Sequence, residues 1–142
     1  MGVQRETFDG VGMAAKTFVC GTQSIRDARQ FVHDLLDGTG FDPTAATLLT
    51  SELATNVVQY ARTEFDVVVT ISDGVARVEI HDGLTVSDRF RDLVNNPPRE
   101  VAVSSLRGRG LLLMRATAAR FGLIDKGPTG KAIWFETAQP PT

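Results

Sequence analysis

Glu52 and Asn56 stand four residues apart in the run Glu52-Leu53-Ala54-Thr55-Asn56. On a helix that spacing sets a carboxylate and a carboxamide on one face, about 40° apart. A carboxamide oxygen is a hard, neutral donor that suits Mg²⁺, an ion that keeps several waters and needs few protein ligands. A carboxylate beside it can accept a proton from an attacking hydroxyl. The pair also reads as an ordinary solvated polar face, and spacing alone leaves both readings open. Asp82 ends the alternating segment Val78-Glu79-Ile80-His81-Asp82, so it points to the face that Val78 and Ile80 bury. An inward carboxylate needs a donor, and the exocyclic amine of adenine is a suitable one; turn chemistry before Gly83 is the alternative. Gly108-Arg109-Gly110, at a helix start, lets phosphate reach free backbone N–H groups. Arg107 and Arg109 either add charge-assisted contacts there or face solvent.

The elements that must position these residues follow from pattern. Residues 1–12 are polar and glycine-rich and read as a loose tail, and 139–142 as a second one, leaving one domain over 13–138. A first strand falls at Lys16–Cys20. Ile25, Ala28, Phe31, Val32, Leu35 and Leu36 follow helical spacing, with Thr22 or Ser24 as the cap and Gly38-Thr39-Gly40 as the stop. Asp42 caps a second helix with Pro43 at its first position; it runs to about Ala61 and carries Glu52 and Asn56. Phe65–Ile71 and Val75–Asp82 form a hairpin about Asp73-Gly74. Residues 84–106 show no sustained period, which suits a lid or binding loop. A helix over 110–119 precedes strands at Arg120–Asp125 and Lys131–Thr137, with Trp134, Phe121 and Phe135 read as core. The order implies an α+β sandwich: helices on one face of a mixed, mainly antiparallel sheet.

Composition narrows the classes. The chain has 142 residues, a net charge of −2 and a single cysteine, Cys20. The charge gives no case for binding nucleic acid or an anionic membrane. One cysteine excludes an internal disulfide and a four-cysteine zinc site. Two histidines far apart in sequence argue against a transition-metal centre. No apolar run is long enough to span a bilayer, and residues 1–12 lack a signal-peptide core. A cytoplasmic protein is expected.

Four segments in order carry a family resemblance. Leu48 to Val58 resembles the N box of the Bergerat-fold (GHKL) ATPases, Val78–Asp82 the strand and aspartate of their G1 box, and Arg107-Gly108-Arg109-Gly110-Leu111-Leu112-Leu113-Met114 their G2 box. Gly130-Lys131-Ala132-Ile133-Trp134-Phe135-Glu136 resembles the terminal strand of the bacterial anti-sigma factor serine/threonine kinases, the branch most similar to this chain. The resemblance covers roughly residues 14–137. It implies an ATP-binding α/β sandwich in which Asn56 holds Mg²⁺, Glu52 is the general base and Asp82 bonds the adenine amine. Arg107, Gly108, Arg109, Gly110 and Leu111 would contact the nucleotide beneath a lid at 84–106. The implied partners are a sigma factor and an anti-anti-sigma protein of the STAS fold, phosphorylated on serine or threonine; relatives commonly form homodimers. The chain departs from the pattern where Leu84 and Val86 replace glycines after Asp82-Gly83, where Gln59-Tyr60 follows the N box, and at Ala132, where a hydroxyl is usual. These departures motivate an alternative, a nucleotide-binding regulatory module without kinase activity. The catalytic half of a histidine kinase is a third reading.

Overall fold

The computed structural model describes residues 4–8, 11–96 and 113–139. Six strands form one sheet in the order β1-β2-β3-β4-β6-β5, comprising β1 (Gln4–Phe8), β2 (Val11–Phe18), β3 (Phe65–Ser72), β4 (Val75–Asp82), β5 (Arg120–Asp125) and β6 (Lys131–Ala138). Every described pairing is antiparallel. The stretch expected as a loose tail therefore supplies an edge strand, Gln4–Phe8, and the start of β2. Its polar composition hid it, because backbone pairing with β2 asks little of the side chains.

Two helices, α1 (Thr22–Leu36) and α2 (Pro43–Asn56), cover one face of the sheet. In α1, Ala28, Phe31, Val32 and Leu36 are buried; Gly21, rather than Thr22 or Ser24, is the cap residue, and it has no side chain to cap with. In α2 the buried stripe is Ala46, Leu49, Thr50, Leu53 and Ala54, and the Thr50 hydroxyl is satisfied by donating to the Ala46 carbonyl. Asp42 accepts the Thr44 N–H at 2.9 Å and Pro43 opens the helix, as the sequence implies. Phe18 joins sheet to helix, stacking on Phe65 and meeting Phe31 edge-on.

The β3–β4 turn forms as expected: Asp73 and Gly74 both take positive φ, as a two-residue hairpin turn requires. Within the stretch read as a structureless lid, Asp88–Asn95 is a helix, α3, capped by the Ser87 hydroxyl accepting the Phe90 N–H. Eight residues with alternating charge and one fully buried side chain, Val94, leave too little periodicity to see in sequence. Residues 113–117 are helical. No helix among the described residues is long and apolar enough to cross a membrane.

Trp134 is not core. It lies on the sheet face away from α1 and α2, half-buried, beneath the Arg77 guanidinium at 4.0 Å. A Cβ at Gly122 would stand 2.8 Å from the indole, so only glycine lets the ring lie flat across β5. On the same face Glu79 accepts from Arg77 and His81. The His81 bond, together with Arg77, holds the Glu79 carboxyl below its ordinary value of 4.5. A depressed carboxyl stabilises the fold above its unfolded pKa and loses that contribution as pH falls through the folded one. Glu79→Gln is therefore expected to cost about 1 kcal/mol at neutral pH, with the difference from the parent shrinking as pH falls below the ordinary carboxyl value and through the lowered folded one. Urea titrations across pH check this.

Candidate functional site

At the end of α2 the backbone widens. Asn56 closes the α-helix, Val57–Ala61 form a π-helical turn, and Arg62 ends it in the left-handed region with its N–H on the Val57 carbonyl. Wide turns of this kind are frequent at functional sites. The following Thr63 accepts the Gly83 N–H at 2.9 Å. That bond ties the end of α2 to the end of β4, so Asn56 and Asp82 are brought to one cavity.

That cavity is lined by Leu53, Asn56, Val57, Ala61, Ile80, Asp82, Phe90, Lys131 and Ile133. It is a partly open cleft with about 460 Å³ of empty space, solvent at its mouth included. Its walls are mostly apolar, with an amide at one side and an ion pair at the other. The Asn56 carboxamide makes no hydrogen bond among the described residues, so its oxygen is available to a ligand. Glu52 lies one turn earlier on α2, half-buried, and is not among the residues lining the cavity.

Asp82 is held at both oxygens. Oδ1 accepts the Leu84 N–H at 2.8 Å, and Oδ2 accepts from Lys131 Nζ at 2.5 Å. The two side chains are 4% and 6% exposed, a buried ion pair between directly opposed residues of β4 and β6. The backbone enforces the approach. Gly130 has φ +123°, and a Cβ there would collide with the Asp82 carbonyl oxygen. Lys131 also sits 5.2 Å from the centre of the Phe90 ring, which α3 contributes from the expected lid.

The structure thus brings together Asn56 and Asp82 and keeps Glu52 on the adjacent turn. Arg107, Gly108, Arg109, Gly110 and Leu111 lie outside the described residues. Lys131 and Phe90 were not singled out from the sequence. Lys131 was legible: it shares strand parity with Ile133 and Phe135, both buried, so the alternation already turned it inward. Phe90 was not, because α3 itself was missed.

The residues fit a nucleotide with its metal. An acceptor carboxylate lies at an apolar slot suited to a base, and the same cavity is lined by a neutral amide, the type of hard ligand that a phosphate-bound Mg²⁺ takes. Among the described residues no group of histidine, cysteine or acidic side chains forms a metal cage, so a metal here would draw on phosphate oxygens and water. No curated protein matches the sequence. The family model for the histidine kinase-like ATPase domain matches residues 21–137, from the start of α1 almost to the end of β6. With the antiparallel sheet, its helical layer and the Asn56–Asp82 cavity in place, the chain belongs to the histidine kinase-like ATPase (GHKL) family, whose domain binds ATP.

Proposed function

We propose that the chain is a cytoplasmic, Mg-ATP-dependent protein serine/threonine kinase of the anti-sigma type. It would hold a sigma factor, working as a homodimer, and phosphorylate a STAS-domain antagonist. The convergence of Asn56 and Asp82 on one cavity, with Glu52 a turn away on the same helix, carries this reading. Bound Mg-ATP supplies the transferable phosphoryl group and the metal charge that offsets its oxygens. Asp82 would accept from the base amine, Asn56 would give its carboxamide oxygen to the metal, and Glu52 would take the proton of the partner's hydroxyl as that oxygen bonds to the terminal phosphorus and the bond to the departing ADP oxygen breaks. Such transfers depend on positioning and charge far more than on covalent help from the protein.

Incubation with candidate STAS proteins and γ-labelled ATP tests this. Label on a partner serine or threonine, placed by mass spectrometry, supports the proposal; label on histidine favours the histidine-kinase reading. One observation favours a second reading, a nucleotide-sensing module that sequesters its partner without phosphorylating it: Glu52 stands outside the cavity lining. That module would bind ATP and partner and transfer no label.

Asn56→Ala bears on either reading. Ligand that binds only the folded state raises the unfolding midpoint by mass action. At ATP about 100 times Kd the stabilisation is about 2.7 kcal/mol, and Asn56→Ala is expected to remove most of it in the presence of Mg²⁺. Thermal melts with and without Mg-ATP measure the difference.

A further inference from the structure

We infer that Phe90 is a specificity-determining residue of the nucleotide site, its ring forming the stacking surface for the base and so separating adenine from cytosine. The inference rests on the nucleotide-binding reading above and goes beyond it, since that reading gives base recognition to Asp82 alone. An acceptor carboxylate rewards an exocyclic amine and rejects guanine and uracil, which show a carbonyl oxygen at the matching place. Adenine and cytosine both carry the amine. Asp82 therefore does not divide these two bases, and a feature that senses ring size must do so. Among the described residues that line the cavity, Phe90 alone is aromatic; the other apolar walls, Leu53, Val57, Ala61, Ile80 and Ile133, are aliphatic. An aromatic face attracts every base, and it favours the one that stacks over the larger area, the two-ring purine.

Position assigns the ring to the base rather than to the phosphates. Its centre lies 5.2 Å from the Lys131 ammonium, and that ammonium bonds Asp82 Oδ2 at 2.5 Å. The ring thus stands at the Asp82 end of the cleft, where the amine is read. Helix α3 holds it there. Phe90 and Val94 are four residues apart on one helix face, and Val94 is buried in the core. Next to Phe90, the Arg91 Nη2 donates to Asp125 Oδ2 at 2.6 Å and ties the helix to the end of β5. The Ser87 cap and the Leu84 N–H on Asp82 fix the chain between β4 and α3.

The test is a calorimetric titration of ATP, ADP and CTP, each with Mg²⁺, into the parent protein, Phe90→Leu and Phe90→Tyr. Leucine keeps an apolar wall and removes the ring; tyrosine keeps the ring. Phe90→Leu is expected to bind ATP about 2–12-fold more weakly than the parent does, the share of an aromatic contact beyond its buried area. ADP is expected to lose the same factor and CTP less, so the preference for ATP over CTP narrows. Phe90→Tyr is expected to keep the parental affinities. An ATP-to-CTP ratio unchanged in Phe90→Leu overturns the inference. So does a loss confined to ATP, which would place the residue at the terminal phosphate, and so does an equal loss in Phe90→Tyr, where the ring is still present. If thermal melts show Phe90→Leu unfolded, Phe90→Met carries the same comparison, and the same outcomes decide. A parent protein that binds neither ATP nor ADP overturns the nucleotide reading itself, a failure distinct from an unchanged ratio in the variant.

Discussion

Glu52→Ala is expected to slow phosphate transfer to the partner hydroxyl by about 10²–10⁴-fold, the usual contribution of a positioned general base, with the Mg-ATP-induced rise in unfolding midpoint unchanged. The split follows from where the residue stands. Glu52 does not line the cavity, so its removal leaves the base slot, the Asn56 carboxamide and the Asp82–Lys131 pair as they are. Alanine is the strongest helix former, so α2 itself is not weakened at that position. Glu52→Gln keeps the shape and removes the basicity, and is expected to lose transfer to a similar extent. Single-turnover measurements on the phosphorylated partner, beside thermal melts of the same variants, read both quantities. Transfer at the parental rate in Glu52→Ala would remove Glu52 from the mechanism and leave proton acceptance to solvent or to the partner.

The second large effect is on the fold. Asp82→Asn and Lys131→Met each leave a charge buried without its counter-ion, at a cost of about 3–5 kcal/mol. In a chain of this size that lowers the unfolding midpoint by roughly 10–17 °C, and the cost is a large share of a total stability of about 5–15 kcal/mol. The double variant, Asp82→Asn/Lys131→Met, removes both charges together. Replacing a whole buried pair by neutral groups is often close to neutral, so the double variant is expected to be more stable than either single one. The side chains lie in direct contact, so strong non-additivity is expected. A double variant destabilised by the sum of the two single effects would mean that the residues act independently, and that the contact between them contributes nothing of its own.

The parts legible in the sequence are those where one physical signal dominates. Asp42-Pro43 marks a helix start because a cap and a fixed φ coincide there. Asp73-Gly74 marks a hairpin because few residue pairs tolerate two positive φ values. The alternation in β4 located Asp82 correctly on the buried face. The failures have the opposite character. Trp134 was read as core from its chemistry, against its own parity with Glu136, because burial beneath an arginine on the sheet face away from α1 and α2 leaves no apolar pattern. Gln4–Phe8 and α3 were missed because backbone pairing and capping hold short polar segments that hydrophobic periodicity cannot reveal. The inward face of Lys131 was legible from alternation, but its pairing with Asp82 was not, because that depends on which strand lies beside it. That β6 separates β4 from β5 is a tertiary fact that no local window contains.

That inserted strand also sets a schedule. Asp82 and Lys131 are 49 residues apart, and a ribosome adds about 5–20 residues per second. For roughly 2–10 s of synthesis, the strand that will occupy the second flank of β4 does not yet exist. Until β6 is available the aspartate lacks its counter-ion, and a β4 formed by then would present an unpaired edge to other chains. Chaperone protection of the emerging polypeptide should therefore matter most between translation of Asp82 and of Ala138, and cellular ATP can favour the native state only once the final strand has been laid down.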